Sequence, residues 1–175
     1  MAGMFRELRA DEIECRISRI VETERGPQGV LLLYKDARTD AKVLDETVGC
    51  ENWQNKYYEV KGNLFCSVGL RINNEWIWKD DCGTESNTEK QKGEASDAFK
   101  RACFRFGLGR ELYTAPQIWV DGGDCKTLKQ DKYGNWKCYD RFKVRVITYE
   151  DGSIKDLAIE NTKTNVVVFS KGTFK

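Results

Sequence analysis

Side chains that could do chemistry gather between Thr88 and Arg110 in this 175-residue sequence. Six cations there, Lys90, Lys92, Lys100, Arg101, Arg105 and Arg110, stand against three carboxylates, Glu89, Glu94 and Asp97. The local excess is three positive charges, in a chain whose formal net charge is +1. Asp97, Arg101 and Arg105 recur every fourth residue, which is one face of a helix. Lys100 lies about 100° from Arg101 around the axis. Guanidinium and ammonium groups on a rigid element, beside the turn Gly107-Leu108-Gly109-Arg110, suit contacts with backbone phosphates. Tyr57, Tyr58 and Phe104 offer surfaces for base stacking or for lining a groove. A plainer reading fits the same residues: a solvated helix face with an Asp97–Arg101 ion pair, and aromatic rings that pack in the core.

Other chemistries are excluded or unsupported. The sequence has no histidine, which removes Ser-His-Asp and Cys-His catalysis, HExxH metalloproteases and His/Cys zinc sites. Asp80, Asp81 and Glu85 invite comparison with a metal-dependent nuclease. Adjacent residues of a strand point to opposite faces, however, and no further acid completes the set. Gly107-x-Gly109 ends a helix instead of opening one, so it is no dinucleotide or phosphate-loop fingerprint. Seven cysteines at intervals of at least 13 residues form no CxxC pair, and Cys66 and Cys103 read as small buried hydrophobes. No metal or other cofactor is implied. No apolar run approaches the roughly 18 residues of a membrane span, and the N-terminus lacks a signal-like apolar stretch. The expectation is a soluble, cytoplasmic protein without a membrane partner. Near-zero net charge leaves room for a nucleic-acid binder whose positive charge is local.

These side chains need elements to hold them. Ile13, Ile17 and Ile20 predict a helix over residues 11–21, with Asp11 and Glu14 as a capping box. Gly26 to Gly29 reads as a loop and Val30 to Tyr34 as a short buried strand. Residues 37–48 are ambiguous, with a helix plausible from Asp40 through Ala41, Leu44 and Val48 to a stop at Gly49. Strands at 53–60, 64–72 and 75–79, joined by short polar turns, predict an antiparallel meander. A long helix follows. Ser86 and Glu89 form its capping box, Ala95, Phe99, Ala102, Cys103 and Phe106 its apolar stripe, and Gly107-Leu108-Gly109 its stop. Beyond Pro116, turns at 121–124 and 131–135 precede strands at 142–148, 154–159 and 166–169, with Asp151-Gly152 as a hairpin signal. The predicted class is α+β: an antiparallel β-meander packed on a long helix, a β-β-β-α core over residues 1–118, with a β-rich extension over residues 119–175. That extension would pack on the core or on a neighbouring subunit.

Together, Arg16-Ile17, Leu44-Asp-x-x-x-Gly49-x-x-x-Trp53, Phe65-Cys-Ser-Val-Gly69, Gly83-x-x-Ser86 and the block from Ser96 to Tyr113 resemble the Rad52 family of single-strand annealing proteins. Phage recombinases of the Sak type are the nearest form, which would place the protein in a bacterial host cell. The resemblance covers roughly residues 5–115, and Asp-x-x-Lys-Arg-Ala…Phe-Gly-x-Gly is its most specific part. It implies a ring or helical oligomer that binds single-stranded DNA and anneals it to a complementary strand without ATP, in recombination and repair. A phage exonuclease and an ssDNA-binding protein are the further partners implied. The family's Lys-Arg pair falls on Lys100 and Arg101. Its next arginine falls on Phe104, with Arg105 adjacent, and its earlier strand arginine falls on Arg38 or Thr39, of which Arg38 is preferred. Lys90 and Lys92 are candidates for a second, outer DNA contact. Lys137, Arg141, Lys143 and Arg145 could extend the DNA path or cover an edge between subunits. Two alternatives stand beside this reading: a self-assembling structural or protein-interaction domain, and a metal-dependent DNA nuclease. Pairing of the basic helix with Asp97, Asp80 or Asp81 would favour the first of them.

Overall fold

The computed structural model describes residues 3–84 and 90–173, with Lys90 described by its backbone alone. In chain order its elements are β1 (Glu14–Thr23), β2 (Gly26–Tyr34), α1 (Ala37–Val48), β3 (Trp53–Val60), β4 (Asn63–Ile72), β5 (Glu75–Cys82) and α2 (Lys90–Phe106). There follow β6 (Ile118–Asp121), β7 (Lys129–Gln130), β8 (Trp136–Lys137), β9 (Phe142–Glu150), β10 (Ser153–Asn161) and β11 (Val166–Lys171). The mixed α+β class predicted from the sequence is the class observed. The elements group into two compact units, Met1–Glu7 with Lys35–Arg110, and Leu8–Tyr34 with Glu111–Lys175.

The first unit contains the meander β3-β4-β5, antiparallel throughout. Alternation along β4 sends Cys66, Val68 and Leu70 to one face, where all three are buried with Ala98, Phe99, Ala102 and Cys103 of α2 and with Val43 and Leu44 of α1. Trp53 closes one side of this core, its ring 5.9 Å from that of Phe99. The stripe Ala98-Phe99-Ala102-Cys103 is narrow because two of its members are alanines, which let the helix backbone lie close. Gly83, just past β5, shows how close: a Cβ there would stand 2.1 Å from the Glu94 carbonyl oxygen. Helix α1 opens at Asp36, whose carboxylate accepts from the Arg38 amide, and closes at Gly49 with φ 86°, a left-handed value that favours glycine. The capping box expected at Ser86 and Glu89 lies outside the described residues.

The second unit is a six-stranded antiparallel sheet in the order β11-β10-β9-β1-β2-β6. Residues 119–175 therefore share a sheet with the first hairpin: β9 pairs with β1, and β6 with β2. The helix predicted over 11–21 is instead a short 3-10 turn at Ala10–Glu12 followed by strand β1. Its physical cause is a β-bulge. The pairing runs Ile17↔Leu31 and then Arg19↔Val30 and Ile20↔Gly29, so one extra residue, Ser18, is inserted. A bulge shifts the alternation by one residue. Ile17 and Ile20 thus share a face of a strand at the spacing that reads as helical in sequence. The expected Asp11–Glu14 capping box is replaced by Glu12, whose carboxylate accepts from the Arg9 amide at 2.9 Å. The expected loop at Gly26 to Gly29 is the first part of β2, because the turn falls at Glu24 and Arg25 and leaves Gly26 with φ 94°.

The cysteines are all free thiols, and Cys15, Cys66, Cys103 and Cys125 are buried. Cys66 and Cys103 are core hydrophobes, as their positions in the sequence predict.

Candidate nucleic-acid interface

Parity decides what the meander shows to α2. Tyr57, Cys66 and Asp81 pair across β3, β4 and β5, as do Asn55, Val68 and Lys79, and directly paired residues point to the same side. The face that packs on α2 therefore carries an apolar middle strand with Tyr57, Lys79 and Asp81 on the strands to either side. Asp81 is the pivot. Its Oδ1 accepts from Arg101 Nε at 3.2 Å and its Oδ2 from Arg105 Nε at 2.8 Å. The carboxylate is 10% exposed, whereas Arg101 and Arg105 are 48% and 58% exposed. One sunken carboxylate thus holds two arginines one helical turn apart and leaves much of each guanidinium facing outward. Burial works against the charge on Asp81, but hydrogen bonds from Arg105, the Cys82 amide and Arg101 prevail and hold its carboxyl below the usual range. The cluster carries a net charge of +1.

The expected Asp97–Arg101 ion pair is not the close contact of this arginine, whose carboxylate partner is Asp81. Asp97 accepts from the Thr84 amide and hydroxyl, both at 3.1 Å, and acts on Arg101 only through its charge. Glu94 accepts from the Leu64 amide at 3.3 Å. Two acids of α2 are therefore spent on anchoring neighbouring backbone, while its arginines stay on the surface.

Lys100 looks elsewhere. It is half-buried and acts electrostatically on Asp40 of α1. Asp40 is fully buried and hydrogen-bonded through both oxygens to Lys35. Burial pushes its carboxyl up to about 6, against the pull of Lys35 and Lys100. Over this pair runs the turn after α2. Gly109 has φ 73°, and a Cβ there would stand 2.4 Å from Lys35 Cε, so this glycine admits the buried lysine stem. The Lys-Arg pair is thus split, with Lys100 towards α1 and Arg101 towards β5.

The remaining predicted residues separate. Arg110 donates from Nε to the Phe104 carbonyl at 3.0 Å and from Nη2 to the Arg105 carbonyl at 2.8 Å, and lies 5.4 Å over the Phe104 ring. Lys79 donates to the same Arg105 carbonyl at 2.9 Å. Both cations satisfy carbonyls at the C-terminus of α2, where the helix dipole favours positive charge. Phe104 accordingly has a guanidinium over one face. Arg38 was expected on a strand and sits in the first turn of α1, exposed, because Asp36 caps a helix two residues before it. Lys92 is exposed on α2, and the Lys90 side chain lies outside the described residues. Tyr57 shares the Asp81 face, but Tyr58 is on the opposite one, stacked on Phe65 at 5.6 Å. The two tyrosines therefore do not line one groove. Asp80, paired with Lys56 and Ser67, faces that opposite side too, so Asp80 and Asp81 do not converge on a metal. Glu85 lies outside the described residues, and among the described ones no three His, Cys, Asp or Glu side chains form a metal-binding group.

Sequence reasoning named Asp81 only as one of three possible partners of the basic helix, and it missed Lys79 as a helix cap. The available signal was the alternation Ile77, Lys79, Asp81, which puts all three on the helix side of β5.

Comparison with known proteins adds the last observations. The family model of the Rad52/22 double-strand break repair proteins matches residues 10–130. Two curated relatives are each called single-stranded DNA-binding protein DdrA. The one from Deinococcus radiodurans is 33% identical over 101 residues, covering 57% of this chain and 48% of the relative. The one from Deinococcus deserti is 32% identical over 108 residues, covering 61% and 53%. The chain thus spans about half the length of the curated relatives it matches. No solved structure matches. The comparisons reach the family and not a branch within it.

Proposed function

The chain belongs to the Rad52/22 family of double-strand break repair proteins, and from that premise we propose that it binds single-stranded DNA through α2 and anneals it to a complementary strand. The observation that carries this reading is the pair Arg101 and Arg105, aligned by Asp81 and half-exposed on one side of a rigid helix. Guanidiniums fixed through Nε still present terminal N–H groups to a phosphate oxygen. Such contacts ignore base identity and leave the bases free to pair, which suits a protein that anneals any complementary strands. Lys100 and Arg38 extend the positive surface along α2 and α1, and Tyr57 offers a ring beside it. Several copies in a ring or filament would multiply a weak local contact into tight binding. Annealing is downhill once strands meet, so the mechanism calls for no nucleotide or metal. A role in recombinational repair belongs to the same proposal.

The test is a fluorescence-anisotropy titration of a labelled oligonucleotide, with annealing of two complementary oligonucleotides measured on the same preparations without nucleotide or metal. The double variant Lys100→Ala/Arg101→Ala is expected to lose at least tenfold in affinity at moderate salt while keeping its fold and assembly mass. Wild-type affinity should fall steeply with salt through counterion release. Near-wild-type binding by the variant would reject α2 as the interface. One observation favours a second reading, a structural or protein-interaction domain: Arg101 and Arg105 already have a carboxylate partner within their own chain. That reading gains if DNA binding is absent and assembly is intact.

A further inference from the structure

We propose that the six-stranded sheet carries a second phosphate-binding ridge, formed by Lys143, Arg145 and Arg16, which takes the sugar–phosphate backbone of a nucleic acid. It extends the proposed DNA-binding role but shares no residue with α2. Register puts the parts together. Tyr34, Glu14, Lys143 and Glu160 pair in a row across β2, β1, β9 and β10. Glu160 is 8% exposed and receives Lys143 Nζ at 3.0 Å and Arg145 Nη1 at 3.3 Å, while the two cations are 56% and 55% exposed. This repeats the construction on α2, where one sunken carboxylate holds two outward cations.

The neighbours continue the pattern. Tyr34 Oη donates to Glu14 at 2.7 Å, so this acid has a partner of its own. Arg16, two residues along β1 on the same face, is exposed and lies 5.5 Å over the Tyr34 ring. Three cations against two carboxylates leave a charge of +1, and of the two acids Glu160 is buried while Glu14 is exposed. Strands β1 and β9 lie inside the sheet, paired on both sides, which gives the ridge a stiff base. Cations already held by a carboxylate lose less side-chain entropy on meeting an anion. The planar fork of Arg145 suits a phosphate. Lys143, Arg145 and Glu160 lie beyond residues 10–130, where the family model matches, whereas Arg16 lies within them.

The experiment compares wild type, Lys143→Gln/Arg145→Gln and Lys100→Ala/Arg101→Ala in titrations of a labelled oligothymidylate at several salt concentrations. Glutamine keeps the aliphatic stems on the sheet, and near-UV circular dichroism checks that each variant is folded. Arg16→Gln serves as a third, independent substitution should the double change unfold the strands. The glutamine double variant is expected to bind three- to tenfold more weakly, with the slope of log K against log salt reduced by about 1–2. An unchanged affinity and slope in that folded variant would overturn the ridge, whatever the α2 variant does. Weakened binding there, combined with normal binding by the α2 variant, would support the ridge and reject the α2 interface. If the glutamine variant loses affinity for poly-glutamate but not for the oligonucleotide, the ridge serves an acidic protein and the proposal fails.

Discussion

Asp81 and Asp40 sit in the same unit and respond to acid in opposite ways, because different surroundings set their charge. Asp81 meets three hydrogen-bond donors, and its carboxyl is held below the ordinary value near 4. A depressed group contributes stability above the unfolded value and loses it as pH falls through the folded one. Asp81→Asn is therefore expected to cost about 1–2 kcal/mol at neutral pH and to remove part of the acid-induced loss seen in wild type. Asp40 is the reverse case. Burial raises it to about 6, so its contribution is complete below about 4 and disappears as pH rises through 6. Urea midpoints across this window should fall with rising pH in wild type, and Asp40→Asn should lose that slope. The same substitution strips Lys35 of its charged partner, so overall stability should drop as well. Neither aspartate's role was legible in its residue type. Alternation along β5 gave the side of Asp81, but a partner 20 and 24 residues away depends on how the helix is laid over the sheet.

At the scale of elements, the meander was readable because its strands keep strict alternation and its turns are short. The positive-φ residues Lys61, Gly62, Asn73 and Asn74 sit at the two turns the sequence marked. Helix α2 was readable from its small apolar stripe. Strand β1 was not, since the bulge at Ser18 turns a period of two into an apparent period of three, and no single-chain pattern separates the cases without the pairing strand. The placement of Arg38 failed for a related reason: a capping aspartate starts the helix before the position that the resemblance puts on a strand. The distance between α2 and β5 is an element-scale quantity with its own test. Gly83→Ala would push a methyl group against the Glu94 carbonyl and lift the helix, at a cost of roughly 1–3 kcal/mol. Thermal unfolding should register that loss. Oligonucleotide affinity should decline along with it, although no charge has changed, because Arg101 and Arg105 would part from Asp81.

The molecule as a whole is interleaved along its sequence. The unit that bears α2 occupies Lys35–Arg110 in the gap between β2 and the later strands, and the six-stranded sheet is completed from both sides of that gap. A chain ending at residue 118, the expected end of the core, retains β1 and β2 but lacks β9, β10, β11 and all but the first residue of β6. Such a fragment is expected to aggregate on expression or to show reduced β-content by circular dichroism, since β1 would expose an unpaired edge and the Cys15 face would lose its cover. A soluble fragment with an intact hairpin would count against the pairing of β1 with β9. The same pairing has a temporal side. During synthesis the first hairpin leaves the ribosome early, yet its partner strand begins only at Phe142, so β1 must wait while the whole helix-bearing unit is made. Folding of the inserted unit can finish first, and the earliest strand in the chain becomes one of the last to be secured. For that interval the nascent protein carries an open strand edge, the period in which a chaperone, or another copy emerging nearby, has access to it.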